Sequence, residues 1–399
     1  DLSNFDTSKV TNMEGMFYES QATTIDLSNF NTSKVTNMAY IFQNTKTNTL
    51  DVSSFNTSNV TNMNYMFSST QVSTLDISNF DTSKVTSMEG MFWKSKATTI
   101  KGLNKLNTSK VTNMKVMFKA AALTTLDVSK FDTSNVTNME GMFNPCTGLT
   151  TLDLSNFDTS KVANMSYMFN GSSNLKTIYT SDKFVTTSVT TSTGMFGNMS
   201  KLVGGSGTKY NSSHVDKTYA RIDGGTSNPG YFTDIADKDI PAPNSFATDS
   251  WKTIIKAVGN NNISKYNVGD TRTIDMGTYG THTLRIANTS TPSECSTTGF
   301  SQTACGFVLE FVDTITENRM NNNGGPKGTN VKGWPVTTMR TFINNDIYNS
   351  LPEDLKSGII NTTVVSGHGS EDTANFTSID KLYLLSTAEI WAQGTSNKI

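Results

Sequence analysis

The residues of this chain with the clearest capacity for chemistry are carboxylates in a column. Asp26, Asp51, Asp76, Asp127 and Asp153 recur at nearly constant intervals, each two residues after a threonine: Thr24, Thr49, Thr74, Thr125 and Thr151. Ser28, Ser53 and Ser78 follow the first three. If the column is spaced by adjacent strands, neighbouring carboxylates stand about 5 Å apart and repel by roughly 0.8 kcal/mol even in water. Three things could offset that repulsion: hydrogen bonds from the flanking Thr and Ser hydroxyls, Lys101 interposed between Asp76 and Asp127, or a bound cationic ligand. These thirteen Thr, Asp and Ser residues form the candidate partner-binding face.

Other chemistry finds little support. His214, His282 and His368 are far apart and have no paired metal-ligand spacing. His368 lies near Glu371 and Asp372, an acid/base grouping that a polar loop explains equally well. The glycine runs Gly204–Thr208 and Gly324–Gly328 complete neither a nucleophile elbow nor a phosphate loop. No catalytic residue, metal site or cofactor is assigned. Cys295 and Cys305 bracket a Ser/Thr/Gly-rich loop whose length allows a disulfide in an oxidising compartment, with two unpaired thiols as the alternative. Cys146 takes a slot held elsewhere by Ser or Thr and reads as a small packed thiol.

The elements that must position the column come from a repeat. The line from Asp1 to Phe17 is written eight times in all, and its closing aromatic returns at Phe42, Phe67, Phe92, Phe118, Phe143, Phe169 and Phe196. A unit this short cannot bury its apolar face alone, so its copies must stack. Within a coil, Thr24–Ser28 alternates apolar and polar, predicting a short strand with Ile25 and Leu27 inward. Val10, Met13, Met16 and Phe17 then fall three and four apart, predicting a return limb of short helix or 3-10 turn. Fifteen of the eighteen methionines lie before residue 200, on this inward stripe, where packing rather than metal binding is expected. The Asn column at Asn12, Asn37, Asn62, Asn113, Asn138 and Asn164 is expected to satisfy turn backbone.

The line Leu152–Phe169, LDLSNFDTSKVANMSYMF, and its siblings over residues 1–200 resemble the repeat of BspA-type bacterial surface proteins, a variant of the leucine-rich repeat. Residues 201–233 are similar to that family's closing segment, and Lys101-Gly102-Leu103 departs from the pattern by one extra residue. The resemblance implies a secreted or cell-surface protein with roles in adhesion or host interaction. The stretches 333–359 and 380–391 are similar to an uncharacterised domain common in surface and phage-associated proteins of gut bacteria. That domain runs on beyond Ile399, so it is expected to be incomplete here.

The fold class expected is a solenoid of parallel-strand leucine-rich-repeat coils over 1–200, closed by 201–233. A Pro-containing linker at 234–247 then leads to an α+β domain over 248–399. Its elements are a helix over 249–258, strands at 271–276, 282–287 and 306–312, a helix over 337–349, another opened by Pro352, and a buried strand over 381–391. Net charge is −2, which gives no electrostatic footprint for nucleic acid. No apolar run is long enough to span a membrane. With neither signal nor anchor, the chain is expected to be a fragment of a longer extracellular protein. The reading is a non-enzymatic surface protein that binds a host or matrix protein, or a glycan, through its repeats. A spacer projecting a carbohydrate- or protein-binding C-terminal domain is the alternative, and a hydrolase in that domain comes third.

Overall fold

A computed structural model describes residues 2, 5–318, 333–366 and 374–384. The chain divides into two compact units, Asp1–Asp239 and Ile240–Ile399.

In the first unit the repeats lie side by side in parallel. The unbroken ladder runs along the Asn column, from Asn12 paired with Asn37 through Asn62, Ser87, Asn113, Asn138 and Asn164 to Thr191. Each Asn side chain also folds back on its own coil, as where Asn37 Oδ1 accepts from Ala39 N at 3.0 Å and Asn138 Oδ1 from Glu140 N at 3.0 Å. At the Asp column the ladder is interrupted. Strands form only as β1 (Thr74–Asp76) with β2 (Thr99–Lys101), and as β3 (Thr151–Asp153) with β4 (Thr177–Thr180) and β5 (Thr233–Asp234), all parallel. Residues 24–28, expected as a strand, do not form one. The Asp bond to the backbone two residues on is made with or without a strand, at Asp26 as at Asp76 and Asp153, so it ends the extended stretch after Asp without deciding where strands form.

The return limb is not helical but a succession of tight turns. Its N–H groups alternate between the next coil and their own: Gly15, Phe17 and Glu19 donate to Ala39, Ile41 and Gln43 carbonyls at 2.8–2.9 Å, while Met16, Tyr18 and Ser20 close turns onto Met13, Gly15 and Phe17. This alternation requires left-handed residues in each coil, such as Tyr40 (φ 60°) and Asn44 (φ 58°), or Tyr65 (φ 54°) and Ser69 (φ 56°). Such residues cost about 1–2 kcal/mol each, which the ladder to the neighbouring coil offsets. A helix would have spent every N–H internally and left the coils unlinked.

Inside, Leu27, Phe30, Val35, Met38 and Phe42 are buried, as are their counterparts in later coils; of the inward residues expected in the first coils, Met13 is buried, Val10, Phe17 and Ile25 are half-buried, and Met16 is exposed. The closing aromatics form one column of parallel rings, with centroids 5.6 Å apart at Phe17–Phe42 and 5.5 Å at Phe169–Phe196. Beside it runs a second, polar column of buried threonines: Thr7, Thr32, Thr57, Thr82, Thr108, Thr133 and Thr159. Thr57 illustrates their role. Its hydroxyl donates to the Asp81 carbonyl at 2.9 Å and accepts from the Asp81 N–H at 2.8 Å, so one side chain satisfies both backbone groups of the next coil. Thr57→Val keeps the shape but strands both groups, and should cost about 2 kcal/mol. Chemical denaturation with an unchanged midpoint would refute this strut.

The stack ends where Tyr231 and Phe232, both fully buried, turn edge-on against Phe196 at 5.1 and 5.8 Å. Behind them Asp223, 5% exposed, accepts from the backbone N–H of Ser206, Thr208, Gly225 and Gly230 and from the Thr208 hydroxyl. Gly204 is needed there, since a Cβ would lie 2.2 Å from the Gly230 carbonyl and 2.6 Å from the Asp223 carboxylate.

In the second unit, α1 (Trp251–Gly259) is capped by Ser250, whose hydroxyl accepts from Thr253 N at 3.1 Å. Three antiparallel strands follow: β6 (Thr271–Asp275), β7 (Thr281–Asn288) and β8 (Val308–Phe311). The helix expected over 337–349 is α2 (Thr338–Phe342) joined through a π turn at Ile343–Ile347 to α3 (Tyr348–Ser350), and α4 (Glu353–Lys356) follows Pro352. An antiparallel pair unforeseen in the sequence comes next, β9 (Thr362–Ser366) with β10 (Phe376–Asp380). Residues 381–384 of the buried strand expected over 381–391 lie beyond β10 and outside any strand, and the remainder falls outside the described residues. Arg272 lies over the Trp251 ring at 4.1 Å in the core of this unit.

Candidate functional site

The Asp/Thr face is built from the coil upward. Thr24, Thr49, Thr74, Thr125 and Thr151 are all exposed, as are Asp26, Asp51, Asp76 and Asp127, while Asp153 is half-buried. Each Asp aims one oxygen at the backbone two residues on: Asp26 Oδ1 accepts from Ser28 N and Asp51 Oδ1 from Ser53 N at 2.9 Å, and Asp76 Oδ1 from Ser78 N at 3.0 Å. Asp127 and Asp153 do the same with Ser129 and Ser155 at 3.1 and 3.0 Å. Of the candidate serines, Ser28 and Ser53 are exposed and Ser78 half-buried.

These bonds set the electrostatics of the column. The Ser28 N–H, then its hydroxyl, holds the Asp26 carboxyl below the usual carboxylate range. Asp51, Asp76 and Asp127 are lowered first by the hydroxyls of Ser53, Ser78 and Ser129, then by their N–H groups. Asp51 also feels the charge of Asp76 working the other way, and Asp76 is helped by Lys101 and Lys105. At Asp153 burial pushes upward, but bonds from Lys238 and Ser155 outweigh it and the net shift is down. A depressed carboxyl lends stability above its ordinary range and surrenders it as pH falls through the lowered value. The column is therefore ionised at neutral pH.

The offsets differ along the column. Asp153 is closed by the chain itself: Lys238 Nζ sits 2.7 Å from Oδ2 and 5.8 Å from the centre of the Tyr179 ring, which stands in the Asp position of the next coil. The Asn104 amide shares Asp127 Oδ2 at 3.3 Å. Asp26 and Asp51 are exposed and have no such companion among the described residues.

The other candidate residues are put to structural use. Cys295 and Cys305 are joined in a disulfide, with Cα atoms 6.0 Å apart. Cys146 is buried, its thiol pushed up to about 12 by burial and bonded to the Phe118 carbonyl at 3.2 Å. His214 stacks on Tyr219 at 4.4 Å, and His282 sets its ring nitrogens against the Tyr279 carbonyl at 2.7 Å and Asp313 at 3.1 Å. His368, Glu371 and Asp372, with the Gly324–Gly328 run, lie outside the described residues. Gly204–Thr208 is the loop that wraps Asp223, a role hidden in the sequence because donor and acceptor are fifteen or more residues apart. Among the described residues, no three His, Cys, Asp or Glu side chains are grouped to hold a metal ion, and no helix is long and apolar enough to cross a membrane.

No curated protein and no solved structure matches the chain. Residues 311–398 match a family model described as a domain of unknown function, DUF6273. Two further matches, over residues 1–101 and 95–210, are to a single model and together take in more than half of the 399 residues. The chain thus belongs to the family described as Mycoplasma protein of unknown function, DUF285.

Proposed function

We propose that this is a non-enzymatic, extracellular bacterial surface protein whose repeats form a leucine-rich-repeat-like solenoid of the BspA type and attach to a host or matrix protein, or a glycan, through the Asp/Thr face. The observation that carries the reading is the exposed pair of carboxylates at Asp26 and Asp51, each held through Oδ1 by its Ser28 or Ser53 bond and flanked by exposed Thr24, Thr49 and Thr74. Groups oriented before a partner arrives lose little freedom on binding. Membership of the repeat family supports a surface location, and the Cys295–Cys305 disulfide supports an oxidising compartment.

The spacer reading has an observation of its own, since every Asp in the column already serves its own turn and Asp153 is filled by Lys238. One variant separates the two. Changing Asp26, Asp51 and Asp76 together to Asn keeps the turn acceptor, so melting should move by less than about 0.5 kcal/mol per site. Attachment to immobilised matrix should fall at least severalfold and weaken with added salt in the parent protein. Undiminished attachment would make the face structural and pass the binding role to the second unit.

A further inference from the structure

The regularity of the face breaks at a notch. Where one extra residue enters at Lys101-Gly102-Leu103, Gly102 takes φ 81° and packs so closely that a Cβ would lie 2.4 Å from Ser78 Cα. The chain then makes a 3-10 turn at Leu103–Lys105. As a result β2 pairs with β1 alone, and its other edge meets no strand among the described residues. The opening between this coil and the next is lined by Thr99, Lys101, Asn104, Thr125 and Asp127, with buried Leu103 and Leu123 as its floor.

We infer that this notch is a binding site for a single neutral sugar unit, through adjacent hydroxyls. The inference builds on the reading of this face as a partner surface and places a defined pocket on it. The donors and acceptors are balanced: an ammonium at Lys101, a carboxylate at Asp127, an amide at Asn104 and hydroxyls at Thr99 and Thr125, besides the open edge of β2. Asp127 spends Oδ1 on Ser129 N and shares Oδ2 with the Asn104 amide, so it suits hydroxyl protons better than a full ammonium charge. A peptide strand cannot enter to pair with β2. On either side of the core the two coils remain clamped, with Phe92 and Phe118 at 5.6 Å and Met88 N bonded to the Asn113 carbonyl at 3.0 Å.

The test is a titration of the full chain, labelled for NMR, with glucose, galactose, mannose and N-acetylglucosamine in turn, and with glycine as a zwitterionic comparator. At least one sugar should shift the amides of Gly102 and its neighbours, saturating at about millimolar concentration as befits one small ligand. Asp127→Asn, which retains the turn acceptor, and Lys101→Met should each weaken that binding about tenfold while the melting curve stays in place. Shifts with glycine but no sugar, no shift at the notch with any sugar, or shifts untouched by both substitutions would each overturn the assignment. Changing Asp26 and Asp51 alone to Asn, with Asp76 left opposite Lys101 on β1 and β2, leaves the notch intact, so failure of the face as an attachment surface and failure of the notch as a sugar site are read separately.

Discussion

Phe92→Asp is expected to unfold the middle of the repeat stack, at a cost of about 5 kcal/mol or more. The ring is fully buried and stacked between Phe67 at 6.0 Å and Phe118 at 5.6 Å. Removing such a ring alone costs about 3–5 kcal/mol, and an unpaired carboxylate in its place adds a desolvation cost. A whole domain is stable by only about 5–15 kcal/mol, so the loss is not absorbed. Because each coil contacts only its neighbours, damage at Phe92 also severs the coils before it from the capped end at Phe196. Circular dichroism should show loss of ordered signal or a lower, broader transition, whereas Phe92→Leu should keep the cooperative melt. A Phe92→Asp protein with the parent transition would refute stacking through this column.

The same column explains how much of the fold is legible in the sequence. Phe, Met and Val recur with the coil, and an apolar side chain has one consistent use, so the inward stripe can be read from the period alone. The Cys295–Cys305 spacing is legible for a similar reason, as a short loop leaves few geometries. Thr57 and its counterparts are not. A threonine beside an Asp or Asn and a Ser reads as turn surface, and nothing local reveals that its hydroxyl meets a backbone twenty-four residues on. The left-handed turns are legible only in part: Gly15, Gly90, Gly141 and Gly194 mark the slot, but Tyr40 and Tyr65 fill it with positive φ in other coils, and Asn44 and Ser69 hold the second one.

At the candidate site, the sequence shows the Asp column and its repulsion, yet not which offset applies where. The Ser N–H bonds are local and follow from the Asp-x-Ser spacing, an Asx-turn signal. Lys238 does not, since it reaches Asp153 from 85 positions away. The Lys101-Gly102-Leu103 irregularity is visible as a break in the period. Its consequence, an open edge on β2, depends on the packing of Gly102 against Ser78. In the second unit β9 and β10 escape a sequence reading because each is only five residues long and nine residues separate them, more than the two to five that mark a hairpin.

The closing segment supplies the second large effect, at Asp223. This one side chain organises 204–230: its carboxylate receives Ser206 N and Thr208 N at 2.9 Å, the Thr208 hydroxyl at 2.7 Å, Gly225 N at 3.0 Å and Gly230 N at 3.3 Å. Asp223→Ala leaves these donors facing a void, and about 4 kcal/mol should be lost, since each buried unsatisfied group costs about 1–3 kcal/mol but water can enter in part. Asp223→Asn is the sharper variant. Its amide can accept through one oxygen only, and its NH2 must face N–H donors, so about 3 kcal/mol should go with almost no change in volume. The loss should be local first: with the loop undone, Tyr231 and Phe232 come away from Phe196 and the end of the stack frays. Hydrogen exchange should therefore accelerate over 196–232 before it does around residues 60–140. An Asn variant whose 204–232 amides stay as protected as the parent's would show that the aromatic cap, and not Asp223, holds the end of the stack closed.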